Sequence, residues 1–472
     1  MISLANKENI HKLFIFTSLI IGMIMVVITP PFQTPDEDSH FKKAYVMAYG
    51  DFIPTIKNGK LGFYISKSMV DDINDKISII GNRDEKVSYS ELILDDRLPS
   101  DYGDKDFVTF STAGSVPIAH IIPAIGIFIG RILAKITQGG YASITYLIYF
   151  ARFANLIFYT AMVGIAIKIS PVLKKTMLAI GIMPMTIYLA ASVSYDCLIN
   201  ACVILSTAII FKLLFDNTYI LSYYNMTALA VLAACILLIK PNYVLIFLLL
   251  FFIPQSKFAD IKEYLKKAGL FLLLIIGVYF IFRLPLYFVS GNLEASESLA
   301  GQQLNYILAN PLSFFKATYK TICDNINFFV AGTVGLFGLI DTYLPSFVTY
   351  LYLFLVIIIG LSDAFTSDIV MGKCLRIAML VVPMISILLI FFAMYWTWTP
   401  NQLGVGADTV SGVQGRYFIP MMIMPFLFFQ NKKIARIKTV NKLNKLIDCY
   451  AFSIIKAVLI ISCIFIFLRF WV

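Results

Sequence analysis

Residues 12–41 read KLFIFTSLIIGMIMVVITPPFQTPDEDSHF, and this stretch decides the fold. The apolar run 12–29 approaches the roughly 20 residues that a helix needs to cross the hydrocarbon of a membrane. It ends in Thr-Pro-Pro without a small-residue cleavage motif, so we predict an uncleaved first transmembrane helix rather than a signal peptide. Three consecutive acids, Asp36, Glu37 and Asp38, follow shortly after the C-terminal end of this helix.

The composition of the chain excludes a soluble fold. Of the 472 residues, 59% are hydrophobic and 14% charged, whereas an average soluble domain has about 25% charged residues. The formal net charge is +10, yet residues 31–113 hold 15 of the 28 acids and only 10 of the 38 basic residues. The rest is therefore markedly basic, as is typical of cytoplasmic connectors that meet anionic lipid. We predict membrane lipid, but no nucleic acid, as a partner.

Eleven apolar runs predict an all-α polytopic membrane protein in which residues 1–472 form a single membrane domain. About 11 transmembrane helices are expected, and the transmembrane bundle after the first loop spans 143–470. The expected crossings are 12–29, 143–167, 176–194, 197–215, 225–239, 241–254, 268–289, 345–362, 374–394, 416–430 and 452–470.

One further run, 116–136, decides the side on which every later segment lies. If it crosses, the basic connectors at 168–175, 257–267 and 431–446 face outward, against the preference of basic loops for the cytoplasm. We therefore predict a re-entrant or interfacial helix at 116–136 and a cytoplasmic N-terminus. Residues 31–113 then form a large extracytoplasmic loop, in which we expect short amphipathic helices.

Acids on the outer side allow two interpretations each. In a partly dehydrated cleft, repulsion within the triplet that begins at Asp36 increases the proton affinity of at least one of its carboxylates, which suits a general base. The same acids are also typical of a helix N-terminus, where they face the positive end of the helix dipole. Asp196 precedes the run 197–215 and Asp341 precedes the run 345–362. Either acid can bind a ligand, or serve as an N-cap and a turn residue respectively.

Cations at the outer ends of helices run against the preference of basic residues for the cytoplasm. They are Arg152, Lys240, Arg283 and Arg416. Each of them singly could extend to the interface to keep its charge in water. Four such cations on one face with several acids favour a binding site, and the planar guanidinium suits a phosphate. Glycines on either side of Gln414 would let the backbone approach a ligand closely.

No metal or cofactor site is predicted from the remaining ligand-type residues. Seven cysteines are scattered without a Cys-x-x-Cys pair, and two outer histidines, His40 and His120, are too few for a metal site by themselves. A divalent cation held partly by carboxylates stays open. For His40 we expect a capping hydrogen bond or a hydrogen bond to substrate.

Five motifs together resemble a known family. They are TPDEDSHF at 34–41, SVSYD at 192–196, KPN at 240–242, GLIDT at 338–342 and GVQGRYFIP at 412–420. On these motifs, most of the chain resembles the bacterial membrane proteins called domain of unknown function 2142. That family looks in turn like a branch of the GT-C glycosyltransferases, whose first outer loop bears an acidic pair directly after helix one and contains interfacial helices.

The resemblance implies transfer of a sugar from a polyprenyl-phosphate donor with inversion at the anomeric carbon. We therefore expect an inverting GT-C type glycosyltransferase in the bacterial plasma membrane, acting at the extracytoplasmic face on a cell-envelope acceptor. The acceptor is a polysaccharide, teichoic acid, lipid or protein. On this hypothesis Asp36 or Glu37 is the general base, while Arg283, Arg416 and Lys240 hold the donor phosphate.

Asp196 and Arg152 are second candidates, which would orient the sugar or the acceptor. Three further functions stay open. The first is a transporter or flippase of lipid-linked glycans, which predicts polar residues along a path to the inner face, whereas most intramembrane charges lie near the outer ends. The second is a ligase that transfers whole glycans, and the third is a non-catalytic scaffold.

Overall fold

Helices dominate the computed structural model of the protein, which describes residues 4, 8–77, 79, 81–88, 103–137, 139, 142–290 and 298–472. Within this described part of the chain, eight helical segments are long and apolar enough to cross a membrane. The expectation of a polytopic, mainly helical membrane protein is therefore confirmed, whereas the count of 11 crossings stays a prediction. The eight segments are Ile10–Ile28, Pro117–Thr137, Ile144–Ile169, Tyr195–Phe215, Ile261–Val289, Ser346–Phe365, Lys373–Leu403 and Lys438–Trp471.

The α-helices, labelled in chain order, are α1 (Ile10–Ile28), α2 (Glu37–Ala48), α3 (Lys67–Ile77), α4 (Ile121–Thr137), α5 (Ile144–Ile169), α6 (Lys174–Gly181), α7 (Pro184–Ala190), α8 (Tyr195–Phe215), α9 (Tyr223–Ile239), α10 (Ile261–Ser290), α11 (Leu299–Ala309), α12 (Pro311–Val334), α13 (Ser346–Phe365), α14 (Lys373–Ala393), α15 (Thr399–Leu403), α16 (Lys432–Ala435) and α17 (Lys438–Trp471). Tighter 3₁₀ helices span Pro117–His120, Pro241–Phe252, Gln255–Lys257, Gly415–Met421 and Met424–Phe429, and a π-helix spans Met394–Trp398.

Three expected crossings are not single α-helices. The run 176–194 is broken into α6 and α7, because Pro184 cannot continue the hydrogen-bond ladder of α6 and instead begins α7. The run 241–254 is a 3₁₀ helix, and 416–430 contains two of them. A 3₁₀ helix rises about 2 Å per residue, so these proline-containing segments extend further than α-helices of the same length.

The first loop contains a small sheet that our expectation of short helices omitted. Strands β1 (Thr55–Lys57), β2 (Lys60–Ser66) and β3 (Lys105–Val108) pair antiparallel in that order. A two-residue turn, Asn58-Gly59, joins β1 to β2, and both of its residues have positive φ angles. Such an Asn-Gly turn is a strong hairpin signal. Two short helices are present, but only α3 is amphipathic, since α2 is almost wholly buried. Residues 89–102 of the loop lie outside the described residues.

Helices α1 and α5 pack against each other, and the first loop packs against both of them. Gly22 of α1 packs on Leu156 of α5, and Gly164 of α5 packs on Ile15. The two helices therefore run antiparallel, and the C-terminal end of α1 lies beside Arg152. The neighbouring helix α8 is almost completely buried and carries Asp196 in its first turn. This packing places the start of α8 under the first loop.

The run 116–136 forms a short 3₁₀ helix followed by α4. Both ends contact the first loop. His120 Nε2 lies 2.9 Å from Nδ1 of His40, and Arg131 donates a hydrogen bond of 2.6 Å to the backbone oxygen of Ala48. This arrangement fits a helix that stays on the side of the first loop. The segment is nevertheless long enough to cross, so its interfacial placement stays a prediction.

Candidate functional site

Glu37 forms a buried ion pair with Arg152, and neither side chain is exposed. Its Oε1 accepts from Arg152 Nε at 2.8 Å and from the backbone N–H of Val193 at 2.9 Å. Its Oε2 accepts from Arg152 Nη2 at 2.6 Å. This carboxylate uses three of its roughly four acceptor positions and is fully buried, so a substrate hydroxyl does not reach it.

The rest of the Arg152 guanidinium is also occupied. It donates to the backbone oxygens of Val26 at 3.2 Å, Thr29 at 2.5 Å and Pro30 at 2.8 Å. These carbonyls lie in the last turn of α1 or directly after it, where they have no partner within the helix. Arg152 and Glu37 therefore fasten the first loop to α1 and α5. The geometry argues against Glu37 as a base and against Arg152 as a ligand to sugar.

Asp36 lies one residue earlier and faces a different way. Its φ angle of 60° is left-handed, and it is the N-cap position of α2. Its side chain is 60% exposed, and its Oδ2 accepts from Arg416 Nη2 at 3.3 Å. The left-handed conformation points this carboxylate out of the protein while Glu37 points in. Asp36 is thus accessible to a substrate hydroxyl and lies beside a cation.

Arg416 connects Asp36 to a second carboxylate and a second cation. Its Nε lies 3.4 Å from Asp196 Oδ2, within ion-pair range but without the alignment of a hydrogen bond. Asp196 Oδ1 accepts from Lys240 Nζ at 2.6 Å. The Lys240 ammonium also lies over the ring of Tyr417, 4.0 Å from its centroid. Four distant parts of the chain therefore supply one row of alternating charges, the charged row, which consists of Asp36, Arg416, Asp196 and Lys240.

Two nitrogens of Arg416, Nε and Nη1, are buried without a hydrogen-bond partner in the described part of the protein, although only 5% of the side chain is exposed. A buried guanidinium normally uses its donors, because desolvating them without an acceptor costs roughly 1–3 kcal/mol each. Arg416, Gln414 and Pro35 line a small hollow with room for roughly one water molecule. Two donors of the guanidinium are therefore left without protein acceptors, although the hollow beside them is smaller than a phosphate.

Gly415 explains how Arg416 reaches this position. A side chain at Gly415 would overlap the backbone of α12 at Phe329 and Thr333, so only glycine allows the segment to lie this close. We expected the glycines around Gln414 to admit a ligand. The structure shows that Gly415 lets this segment pack closely on α12, and the approach of a ligand at these glycines stays a prediction.

His40 and His120 form a hydrogen-bonded pair in the floor of the site. Ser115 Oγ donates to the backbone oxygen of Thr112 at 2.6 Å and lies 3.4 Å from His120 Nδ1. His120 Nδ1 then donates to Ser115, and His120 Nε2 accepts from His40 Nδ1. This network leaves a lone pair on His40 Nε2. Burial lowers the pKa of His40 to about 4, so the ring is neutral at pH 7.

Two predicted site residues lie outside the charged row. Arg283 is exposed on α10, and no hydrogen bond or ion pair to it occurs among the described residues. Asp341 pairs with Arg469 near the end of α17, at 2.9 Å, and accepts from the hydroxyl of its neighbour Thr342 at 2.9 Å. Two further predicted site residues, Gln414 and His40, lie beside the charged row.

Aromatic rings next to the charged row were not predicted. Tyr417 and Tyr195 both lie within cation–π range of Lys240, and the Tyr195 ring also stands edge-on to His40, with the centroids 4.6 Å apart. Their only sequence signal is adjacency, since each tyrosine directly neighbours a charged residue of the row. In the part of the chain that the structure describes, no three His, Cys, Asp or Glu side chains converge as a metal site would require.

Comparison with known proteins gave one finding. A family model described as Predicted membrane protein (DUF2142) matches residues 19–425. The searches of curated proteins and of solved structures gave no match.

Proposed function

The chain belongs to the DUF2142 family of predicted membrane proteins, and we propose that it is a membrane glycosyltransferase of GT-C type. In this proposal it moves a sugar from a polyprenyl-phosphate donor to a cell-envelope acceptor. The reaction takes place on the side of the first loop, which is the extracytoplasmic face of a bacterial plasma membrane. The basic connectors and the basic N-terminus support this orientation.

One observation carries the proposal, namely the exposed Asp36 carboxylate beside the incompletely bonded guanidinium of Arg416. A transferase that acts on a phosphate-linked sugar needs a base that water and substrate can reach. It also needs a cation that can hold a phosphate as charge develops on it. Asp36 and Arg416 meet these two needs within 3.3 Å of each other.

The proposed reaction is a single displacement with inversion. Asp36 takes the proton of an acceptor hydroxyl as the hydroxyl oxygen bonds to the anomeric carbon. The bond between that carbon and the donor phosphate oxygen breaks, and polyprenyl phosphate leaves with the electron pair. Arg416 binds the phosphate by paired hydrogen bonds, and Lys240 adds a second positive charge. Asp196 holds both cations in place, and His40 Nε2 accepts a hydrogen bond from a sugar or acceptor hydroxyl.

The direct experiment incubates the purified protein in lipid nanodiscs with radiolabelled polyprenyl-phosphate sugars and candidate glycan acceptors. Asp36→Asn is expected to lower turnover about a hundredfold or more, the usual range for loss of a general base. Folding should be unaffected, because asparagine tolerates a left-handed φ angle well. Asp38→Asn is the matched control, since it removes an acid from the same triplet without touching Arg416, and it should keep wild-type turnover.

Two results would contradict the proposal. Equal turnover in wild type and Asp36→Asn would remove Asp36 as the base. Movement of intact lipid-linked glycan across the bilayer, without release of polyprenyl phosphate, would replace transfer by transport.

A further inference from the structure

We propose that the C-terminal end of α4 binds the headgroup of an anionic phospholipid. This end of the helix borders an open cavity of about 300 Å³, whose lining includes Tyr49, Phe128, Arg131, Ile132 and Lys135. Of the described residues that line the cavity, none is acidic. The site is separate from the row that contains Asp36, and the inference does not depend on the proposed activity.

Arg131 is held in place and still has donors to offer. Its guanidinium carbon lies 3.3 Å from the centroid of the Tyr49 ring, and its Nη1 donates to the backbone oxygen of Ala48 at 2.6 Å. That bond uses one of the five N–H groups of the side chain. Lys135, one helical turn further on, is exposed at the same cavity. A fixed guanidinium beside a mobile ammonium matches a phosphate diester.

An apolar stripe leads into this cavity along the surface of α4. Ile121, Ile125, Phe128 and Ile132 recur at helical spacing, and each is at least 40% exposed. Phe128 and Ile132 belong to both the stripe and the cavity. An acyl chain on the stripe would therefore bring its phosphate to Arg131 and Lys135.

The predicted depth of α4 in the membrane favours a lipid headgroup, rather than a free anion, as the ligand of this site. Gly130 of α4 packs on Phe150 of α5, and Gly22 of α1 packs on Leu156, six positions further along α5. Because α1 and α5 are antiparallel, the C-terminal end of α1 lies at about the level of Phe150. The end of α1 marks the predicted edge of the hydrocarbon, so we place the two cations of α4 at that edge, on the side of the first loop. The stripe lies at the depth of the acyl chains in that leaflet.

The test is native mass spectrometry of the purified full chain after addition of equal amounts of phosphatidylglycerol and phosphatidylcholine with identical acyl chains. Wild type is expected to retain phosphatidylglycerol about thirtyfold over phosphatidylcholine, since two cations near a membrane surface together contribute about 2 kcal/mol. The double variant Arg131→Gln, Lys135→Gln should lose this preference. The control double variant Lys57→Gln, Lys60→Gln changes the charge of the β1–β2 hairpin equally and should keep it.

An unchanged preference in the Arg131 and Lys135 double variant overturns the proposal, as does an equal loss in the control. Size-exclusion profiles show whether the variants are folded. If the double variant is not, Tyr49→Leu keeps both charges but removes the stacking ring, and it should lower the preference for phosphatidylglycerol severalfold. An excess of inorganic phosphate should leave the lipid bound. Release of the lipid by phosphate would show a free-anion site instead.

Discussion

Asp36 and Glu37 are adjacent acids, and each faces one arginine, but the two ion pairs differ in how completely they are satisfied. Glu37 is fully buried and accepts three hydrogen bonds, while its partner Arg152 donates to it and to three backbone carbonyls. Asp36 is 60% exposed, and its partner Arg416 makes no hydrogen bond through Nε or Nη1 in the described protein, although Nε lies 3.4 Å from Asp196 Oδ2. The closed pair, Glu37–Arg152, and the open pair, Asp36–Arg416, begin only one residue apart.

The difference shows how one short motif can serve both stability and binding. A buried charge pair is tolerated when every donor and acceptor is used, and removal of one partner then leaves an uncompensated charge. An incompletely used buried cation has donors available for a ligand. The left-handed φ angle at Asp36 separates the two functions, because it directs consecutive carboxylates to different sides of the chain.

The largest expected effect comes from breaking the closed pair. Glu37→Gln keeps the shape of the side chain but leaves the Arg152 guanidinium buried without a counter-charge. We expect the free energy of unfolding to fall by about 3–5 kcal/mol. Thermal unfolding of the purified protein, followed by fluorescence-detected size exclusion, measures the change. If Glu37→Gln unfolds like wild type but loses sugar transfer, Glu37 is a base after all and the structural assignment is wrong.

The second prediction breaks the open pair from the cation side. Arg416→Gln removes the guanidinium that has unused donors, and a hydrogen bond to a charged group contributes about 1.5–3 kcal/mol. We therefore expect roughly tenfold to hundredfold weaker binding of a polyprenyl-phosphate sugar, measured by titration of the nanodisc protein.

Arg283→Gln is the matched control for Arg416→Gln. It removes an arginine that was also predicted to hold the donor phosphate but that lies exposed on α10, so donor affinity should be unchanged. An equal loss in both variants would mean that α10 moves to the donor when it binds, and that the open pair is not the phosphate site by itself.

Much of the fold follows from apolar run lengths. The first crossing and the almost wholly buried α8 lie within a few residues of their predicted ends, because hydrophobic length is a property of the local sequence. The break at Pro184 and the 3₁₀ helices were not predicted, because proline shows where an α-helix ends but not which structure replaces it. The β1–β2 hairpin had a local signal in Asn58-Gly59 that we did not use.

The residues of the candidate site could be proposed from the sequence, but the pairing of its carboxylates with its cations could not. Charge type and outer position identified Asp36, Asp196, Lys240 and Arg416, since charges at membrane depth are rare enough to require a reason. Which carboxylate meets which cation depends on tertiary packing. The close approach that Gly415 allows has no signature beyond the glycine itself. For the same reason the sequence alone did not separate the roles of Asp36 and Glu37.

The third prediction concerns the neutral histidine next to the open pair. The pKa of His40 is lowered to about 4 because burial outweighs the nearby carboxylates, whereas a histidine in the unfolded chain has a pKa of about 6.5. Between these values the unfolded chain binds a proton that the folded protein excludes. Stability is thus fully present above about pH 6.5 and is lost as the pH falls towards 4.

Chemical unfolding at pH 6.5 and pH 5.5 measures this dependence. Wild type should lose roughly 1 kcal/mol more over this interval than His40→Gln. Equal losses in the two proteins would show that His40 is not the group that excludes the proton.

The smallest effect is expected at Asp38, the third acid of the triplet. Its substitution tests whether Asp36 and Glu37 matter because of the arginine that each one faces. Asp38 forms an i,i+4 pair with Lys42 at 3.0 Å on α2, with 29% of the Asp38 side chain exposed but only 9% of the Lys42 side chain. Because water reaches only the acid of this pair, we expect it to contribute about 1 kcal/mol, the upper end of the range for exposed pairs and well below that of the buried Glu37–Arg152 pair. Asp38→Asn should therefore leave both the unfolding temperature and sugar transfer close to wild type. A large loss of either would mean that the triplet acts as one acidic cluster, and the contrast between a closed and an open pair would not explain the motif.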